Sequence, residues 1–187
     1  MKKSNAEKGL EIARRCFYKI PQKFSVKVIM NKKIIKKLIP KWKRRKKVTF
    51  CGQLTSNFFL EAGYNMEPIL GKKSYWNINT TGQYANAIKS VEKGNLREVT
   101  PEQAFYLAVI GRPALCLSPV TMVVNGKPFN HAAVTWPVWW EEYNPEKGPI
   151  IAQQGWYSLI NKPISHKYAW GENWTNPMVK YFLPDLK

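Results

Sequence analysis

Along the first part of the chain apolar residues recur at helical spacing. Over 4–20, Leu10, Ala13 and Phe17 line one face; Ser4 or Asn5 supplies the cap, Glu7 suits the first turn, and Pro21 ends the run. Over 25–39, Val26, Met30, Ile34 and Leu38 repeat every fourth residue, joined by Ile35 and Ile39. Lys27, Lys32, Lys33, Lys36 and Lys37 occupy much of the remainder, which predicts a basic amphipathic helix. Pro40 stops it, and the run "KWKRRKK" (41–47) follows.

A third helical pattern begins at Cys51, with Leu54, Phe58 and Ala62 on the same face and Gly63 as its stop. "GKKSYWNINTTGQ" (71–83) reads as an irregular loop, and "GQYANAIKSVEKG" (82–94) as a short helix with Tyr84, Ala87 and Ile88 or Val91 inward. "TPEQAFYLAVIGRP" has a full start signal: Thr100 as cap, Pro101 at the first helical position and Gln103 completing a capping box, with Gly111 closing it.

From there the period changes to two. "PALCLSPV" and "TMVVNGKPFNHAAVTWPVWW" predict strands, the latter turning at Asn125-Gly126, a strong hairpin dipeptide. "GPIIAQQGW" and "PMVKYFLPDL" predict two more. Helices first and an antiparallel sheet afterwards make an α+β fold.

Charge divides the chain in a way that periodicity does not. The net charge is +18 over 187 residues, but 18 of the 30 basic residues and only two of the 12 acids lie in 1–47. The expected organisation is therefore a basic helical arm, 1–47, before a nearly neutral domain, 48–187. The arm either packs its apolar stripe on the domain or contacts an anionic surface such as lipid head groups, nucleic acid or an acidic wall polymer. No stretch approaches the roughly 20 apolar residues of a membrane span, and the basic N-terminus lacks the apolar core of a signal peptide. A cytoplasmic location, or delivery by a non-classical route, is the expectation.

Candidate chemistry is sparse enough to weigh residue by residue. Cys16, Cys51 and Cys116 are odd in number and widely spaced, which favours neither a disulfide framework nor a zinc site. No carboxylate pair suggests a glycosidase and no glycine-rich loop a phosphate site, so neither cofactor nor metal is implied. Cys116 and Cys16 read as core residues. Cys51 differs because it opens a helix, where unpaired N–H groups and the dipole favour thiolate. Of the two histidines, His166 sits in a polar loop and reads as a surface residue, whereas His131 starts the strand "HAAVTW". A helix-opening cysteine, a strand histidine and a polar residue on the next strand, Gln153 or Gln154, are the parts of a thiol–imidazole relay. The tryptophans crowd into the sheet half, mostly as packing, although such density beside a cleft also suits sugar or peptide contacts.

The segments "CGQLTSNFFLEAGYN", "VTPEQAFYLAVIGRPALCL", "NHAAVTWP", "IAQQG" and "VKYFLPDL" together resemble the NlpC/P60–CHAP superfamily of papain-like cysteine peptidases and amidases, in its cell-wall amidase branch. The resemblance spans most of 48–187 and none of the basic stretch at 22–47. It implies a papain-like NlpC/P60-type domain with Cys51 as nucleophile, His131 as base and Gln153 as orienting residue. It also implies a peptidoglycan peptide as substrate and allows for an inhibitory partner protein. Phe50 before the cysteine, Gly52-Gln53 after it and Asn130 before the histidine depart from the pattern, and bear on subfamily and substrate. Two other readings stay open: an anion-binding module acting through the arm, and a thiol-dependent lipid acyl hydrolase or transferase.

Overall fold

The computed structural model describes residues 4–16, 51–71, 80–119, 123–124, 127–128, 130–153 and 159–185. In chain order the helices are α1 (Asn5–Cys16), α2 (Cys51–Glu61), the single turn α3 (Glu67–Leu70), α4 (Thr80–Glu92) and α5 (Pro101–Val109). The strands are β1 (Arg97–Val99), β2 (Leu115–Ser118), β3 (Val123–Val124), β4 (Lys127–Pro128), β5 (His131–Thr135), β6 (Ile150–Gln153), β7 (Leu159–Pro163) and β8 (Lys180–Leu183). A 3₁₀ turn lies at Gly171–Thr175. Six strands form one sheet in the order β1-β8-β2-β5-β6-β7, and every neighbouring pair is antiparallel. The fold is α+β, with helices on an antiparallel sheet.

Both faces of that sheet are covered, because its central strands are apolar at both parities. Leu115, Leu117, Ala132, Val134, Ala152 and Phe182 pack against Phe58, Phe59, Tyr64, Met66, Ile69, Leu70 and Ala87 from α2, α4 and the segment between them. Their strand neighbours Cys116, Ala133, Ile151, Tyr181 and Leu183 pack the opposite way, against Ala104 and Leu107 of α5 and against Ile164, Trp170 and Trp174. All four residues of β2 and of β6 are buried. Such runs belong to strands buried on both sides rather than half-exposed ones.

The helix signals act where they stand in the sequence. Thr100 accepts from the Gln103 N–H while the Gln103 side chain accepts from the Thr100 N–H, the reciprocal box that starts α5. The short strands β3 and β4 pair with each other, while the hairpin turn expected at Asn125-Gly126 lies outside the described residues. Other elements were not apparent from the pattern. α4 begins at Thr80, inside the segment expected to be a loop, since Thr-Thr-Gly is a poor helix sequence that tertiary contacts hold in place. The edge strands β1 and β7 carry mostly exposed residues and therefore no alternation. In β7 the pairing is further broken by an irregularity opposite Ile151 and Ala152 and by Asn161 at φ 60°.

The first helix of the expected arm is docked on the domain. Ser4 and Glu7 form its capping box, leaving Asn5 to donate to the backbone carbonyls of Trp139 and Glu141. Gly9 permits a close approach to α5: a Cβ there would fall 2.5 Å from the Tyr106 carbonyl oxygen and 2.8 Å from Ile110 Cγ2. Lys8 donates to the Tyr106 hydroxyl at 3.2 Å. The basic helix expected at 25–39 and the run at 41–47 lie outside the described residues. In a free helix, replacing glycine would add about 0.5–1 kcal/mol of stability. In a docked one, overpacking costs about 1–3 kcal/mol. Gly9→Leu should therefore speed hydrogen exchange of the α1 amides; slower exchange would show that α1 stands off the domain.

Candidate active site

Cys51 is the first residue of α2, so its thiol lies beside first-turn N–H groups that have no intrahelical acceptor. The turn is pinned through one atom, the Gly52 carbonyl oxygen. It accepts from the hydroxyls of Thr55 and Ser56 at 3.1 and 2.7 Å, and from Nε2 of Gln83 on α4 at 3.2 Å. These bonds satisfy polar groups that are otherwise buried in α2 and α4. On the apolar face, Phe58 is buried while Cys51 and Ala62 pack at the margin of the core, as the helical spacing predicts.

His131 stands at the start of β5, where the two layers around the sheet meet. Its ring packs on Trp170 of one layer, with centroids 4.7 Å apart at 50°, and favours thiolate at Cys51, which belongs to the other. Ser118 on β2 ties this together. Its Oγ accepts from the His131 backbone N–H and from Nε1 of Trp170, both at 3.1 Å.

Gln153, at the end of β6 and 1% exposed, completes the group. The imidazole Nε2–H donates to Gln153 Oε1 at 2.7 Å, which leaves Nδ1 for the thiol. The amide cannot turn over without loss, because its Nε2 donates to the Tyr168 carbonyl at 2.7 Å. The orienting residue is thus itself oriented by the segment after β7. The structure brings Cys51, His131 and Gln153 together from three elements; Gln154 lies outside the described residues.

Charge balance at the sulfur follows from this packing. Burial pushes the thiol up, but the His131 hydrogen bond and charge, the Thr80 hydroxyl and the Ala132 backbone N–H all favour thiolate. Together they bring Cys51 down to about 7. Cys116 shows the opposite outcome: complete burial holds its thiol well above the usual range, in keeping with a core residue. The side chain of Cys16 is outside the described set.

His166 takes no part in the relay. It is half-buried, and its Nδ1 accepts from the Tyr168 N–H at 3.3 Å in the segment that supports Gln153. That segment is an ordered wall of the site, more structured than the polar loop expected from its composition. Trp170 and Trp174 are buried, whereas Trp139 and Trp140 are exposed at the far end of β5 from His131. Among the described residues no group of three metal-ligating side chains occurs, and no helix is long and apolar enough to cross a membrane.

Sequence reasoning missed Thr80, Ser118 and the Tyr168 carbonyl. Only Thr80 left a trace, as a hydroxyl residue just ahead of a helical pattern. Comparison of the chain with known protein families, with curated proteins and with solved structures yields no match.

Since a thiolate is the nucleophile towards alkylating agents, iodoacetamide should modify Cys51 well before Cys116 in the folded protein. The Cys51 rate should rise with pH and reach half its plateau near pH 7. His131→Ala should move that midpoint upward. Equal labelling of the two cysteines would contradict the electrostatics described.

Proposed function

We propose that the chain is a cysteine amidase or endopeptidase of papain-like, NlpC/P60-type architecture that cleaves amide bonds in bacterial cell-wall peptides. The observation that carries the reaction type is the relay itself. Nε2 of His131 is held by Gln153 Oε1 at 2.7 Å, and the same ring lowers the pKa of a helix-opening thiol. The proposed substrate rests on the resemblance of residues 48–187 to cell-wall amidases.

The geometry supports a two-step acyl transfer. The Cys51 thiolate attacks the amide carbonyl carbon, and the electron pair of its π bond moves to oxygen. As the tetrahedral adduct collapses, the His131 imidazolium gives its proton to the departing nitrogen, leaving a thioester on Cys51 and a free amine. Water then loses a proton to His131 and attacks the thioester, and the carboxylic acid leaves with the thiolate restored. Gln153 keeps the ring in the tautomer and orientation that both proton transfers need, with Nδ1 towards the sulfur. Trp170 against the ring limits its other rotamers.

Incubation with purified wall peptides, followed by mass analysis of the products, tests the reading. Hydrolysis at one amide bond is expected, absent in Cys51→Ala. Gln153→Ala should lower turnover by on the order of 10²-fold, the scale of a lost acid–base contribution. Undiminished cleavage by Cys51→Ala, or no cleavage by the wild type, would overturn the proposal.

A further inference from the structure

We propose that Thr80 is the side-chain donor of the oxyanion site: its hydroxyl holds the Cys51 sulfur at rest and passes to the substrate carbonyl oxygen when the carbon–sulfur bond forms. This rests on the acyl-transfer reading of the Cys51 site.

Three observations place Thr80 for that task. Its Oγ1 lies 3.6 Å from Cys51 Sγ, and the residue is 4% exposed. It is the first residue of α4, so two helix starts, those of α2 and α4, converge on one sulfur. Room for the hydroxyl is built in on the nucleophile's own helix. A Cβ on Gly52 would fall 2.9 Å from Thr80 Oγ1 and 3.0 Å from Gln83 Nε2. Glycine at 52 is thus required by close approach, and the Gln83 bond to the Gly52 carbonyl fixes the separation of the two helices.

The chemistry follows from where negative charge moves. In the resting site it sits on sulfur, where the Thr80 hydroxyl, the Ala132 N–H and His131 favour it. After attack, sulfur is neutral and the charge lies on the carbonyl oxygen, two bonds away. A hydroxyl within reach of Sγ can meet that oxygen by rotation about one bond. Its partner is the Cys51 backbone N–H in the first turn of α2, the usual main-chain donor at a helix-opening nucleophile. The donor breaks one hydrogen bond and makes another with no proton transferred.

Alkylation and acylation separate this role from simple support of the thiolate, because iodoacetamide reacts at a saturated carbon and develops no oxyanion. The test compares Thr80→Val with the wild type in two reactions above pH 8: alkylation by iodoacetamide, and Cys51 acylation by p-nitrophenyl acetate followed as nitrophenol release. Thr80→Val should lower acylation by about 10²–10³-fold, the range for loss of one oxyanion donor, with alkylation little changed. Thr80→Ser keeps the donor and should recover most of the loss. The intact alkylation rate doubles as evidence that Thr80→Val folds and retains its thiolate. Equal losses in both reactions, undiminished acylation, or no Cys51-dependent release by the wild type would each overturn the assignment. The ester makes no demand on wall-peptide specificity, so a wild type that acylates but cleaves no wall peptide would sink the substrate reading and leave the role of Thr80 standing.

Discussion

Everything about this site turns on keeping a partly buried sulfur charged. Burial opposes thiolate, and for Cys116 it wins outright. At Cys51 it is outweighed only because stabilising groups come from two separate elements: the imidazole and the Ala132 N–H from β5, and the Thr80 hydroxyl from α4. None of these would suffice if the elements could drift by an ångström. The surrounding architecture serves that positional demand.

The demand explains residues that do no chemistry of their own. Gly52 lets α4 come close and lends its carbonyl to three donors. Ser118 fixes both the backbone beneath His131 and the indole beside it. The turns after β7 supply the Tyr168 carbonyl that keeps the Gln153 amide facing His131 correctly. A histidine between two packed layers, with its Nε2–H given to Gln153, is held in one orientation and, when neutral, in one tautomer. That is the arrangement the proposed acyl transfer needs.

The sequence was informative where one residue type sufficed for a role. A cysteine at a helix start, one histidine at a strand start and a glutamine on the next strand could be named from spacing, and the structure brings all three together. The Gln153 choice came from a family resemblance, since the strand pattern alone allowed Gln154 as well. Legibility failed where the role depends on the meeting of distant segments. Thr80 opens a helix with a weak start signal and becomes significant only because Gly52, 28 positions earlier, leaves space for it. The two-sided burial of the sheet was written in "ALCLS", "HAAVT" and "IIAQ", which carry apolar residues at both parities. The docking of α1 depends on Gly9, whose value lies in a side chain that is not there.

The central claim is that Cys51 attacks the substrate carbonyl and carries its acyl group. The most direct measurement is the intact mass of the protein, quenched in acid while a wall peptide is being turned over. A fraction of the chain should be heavier by the acyl half of the substrate, with the added mass mapping to the peptide that contains Cys51 and disappearing as the substrate is exhausted. Product accumulating under Gln153→Ala, where deacylation is slowed, with Cys51 never modified would contradict the account.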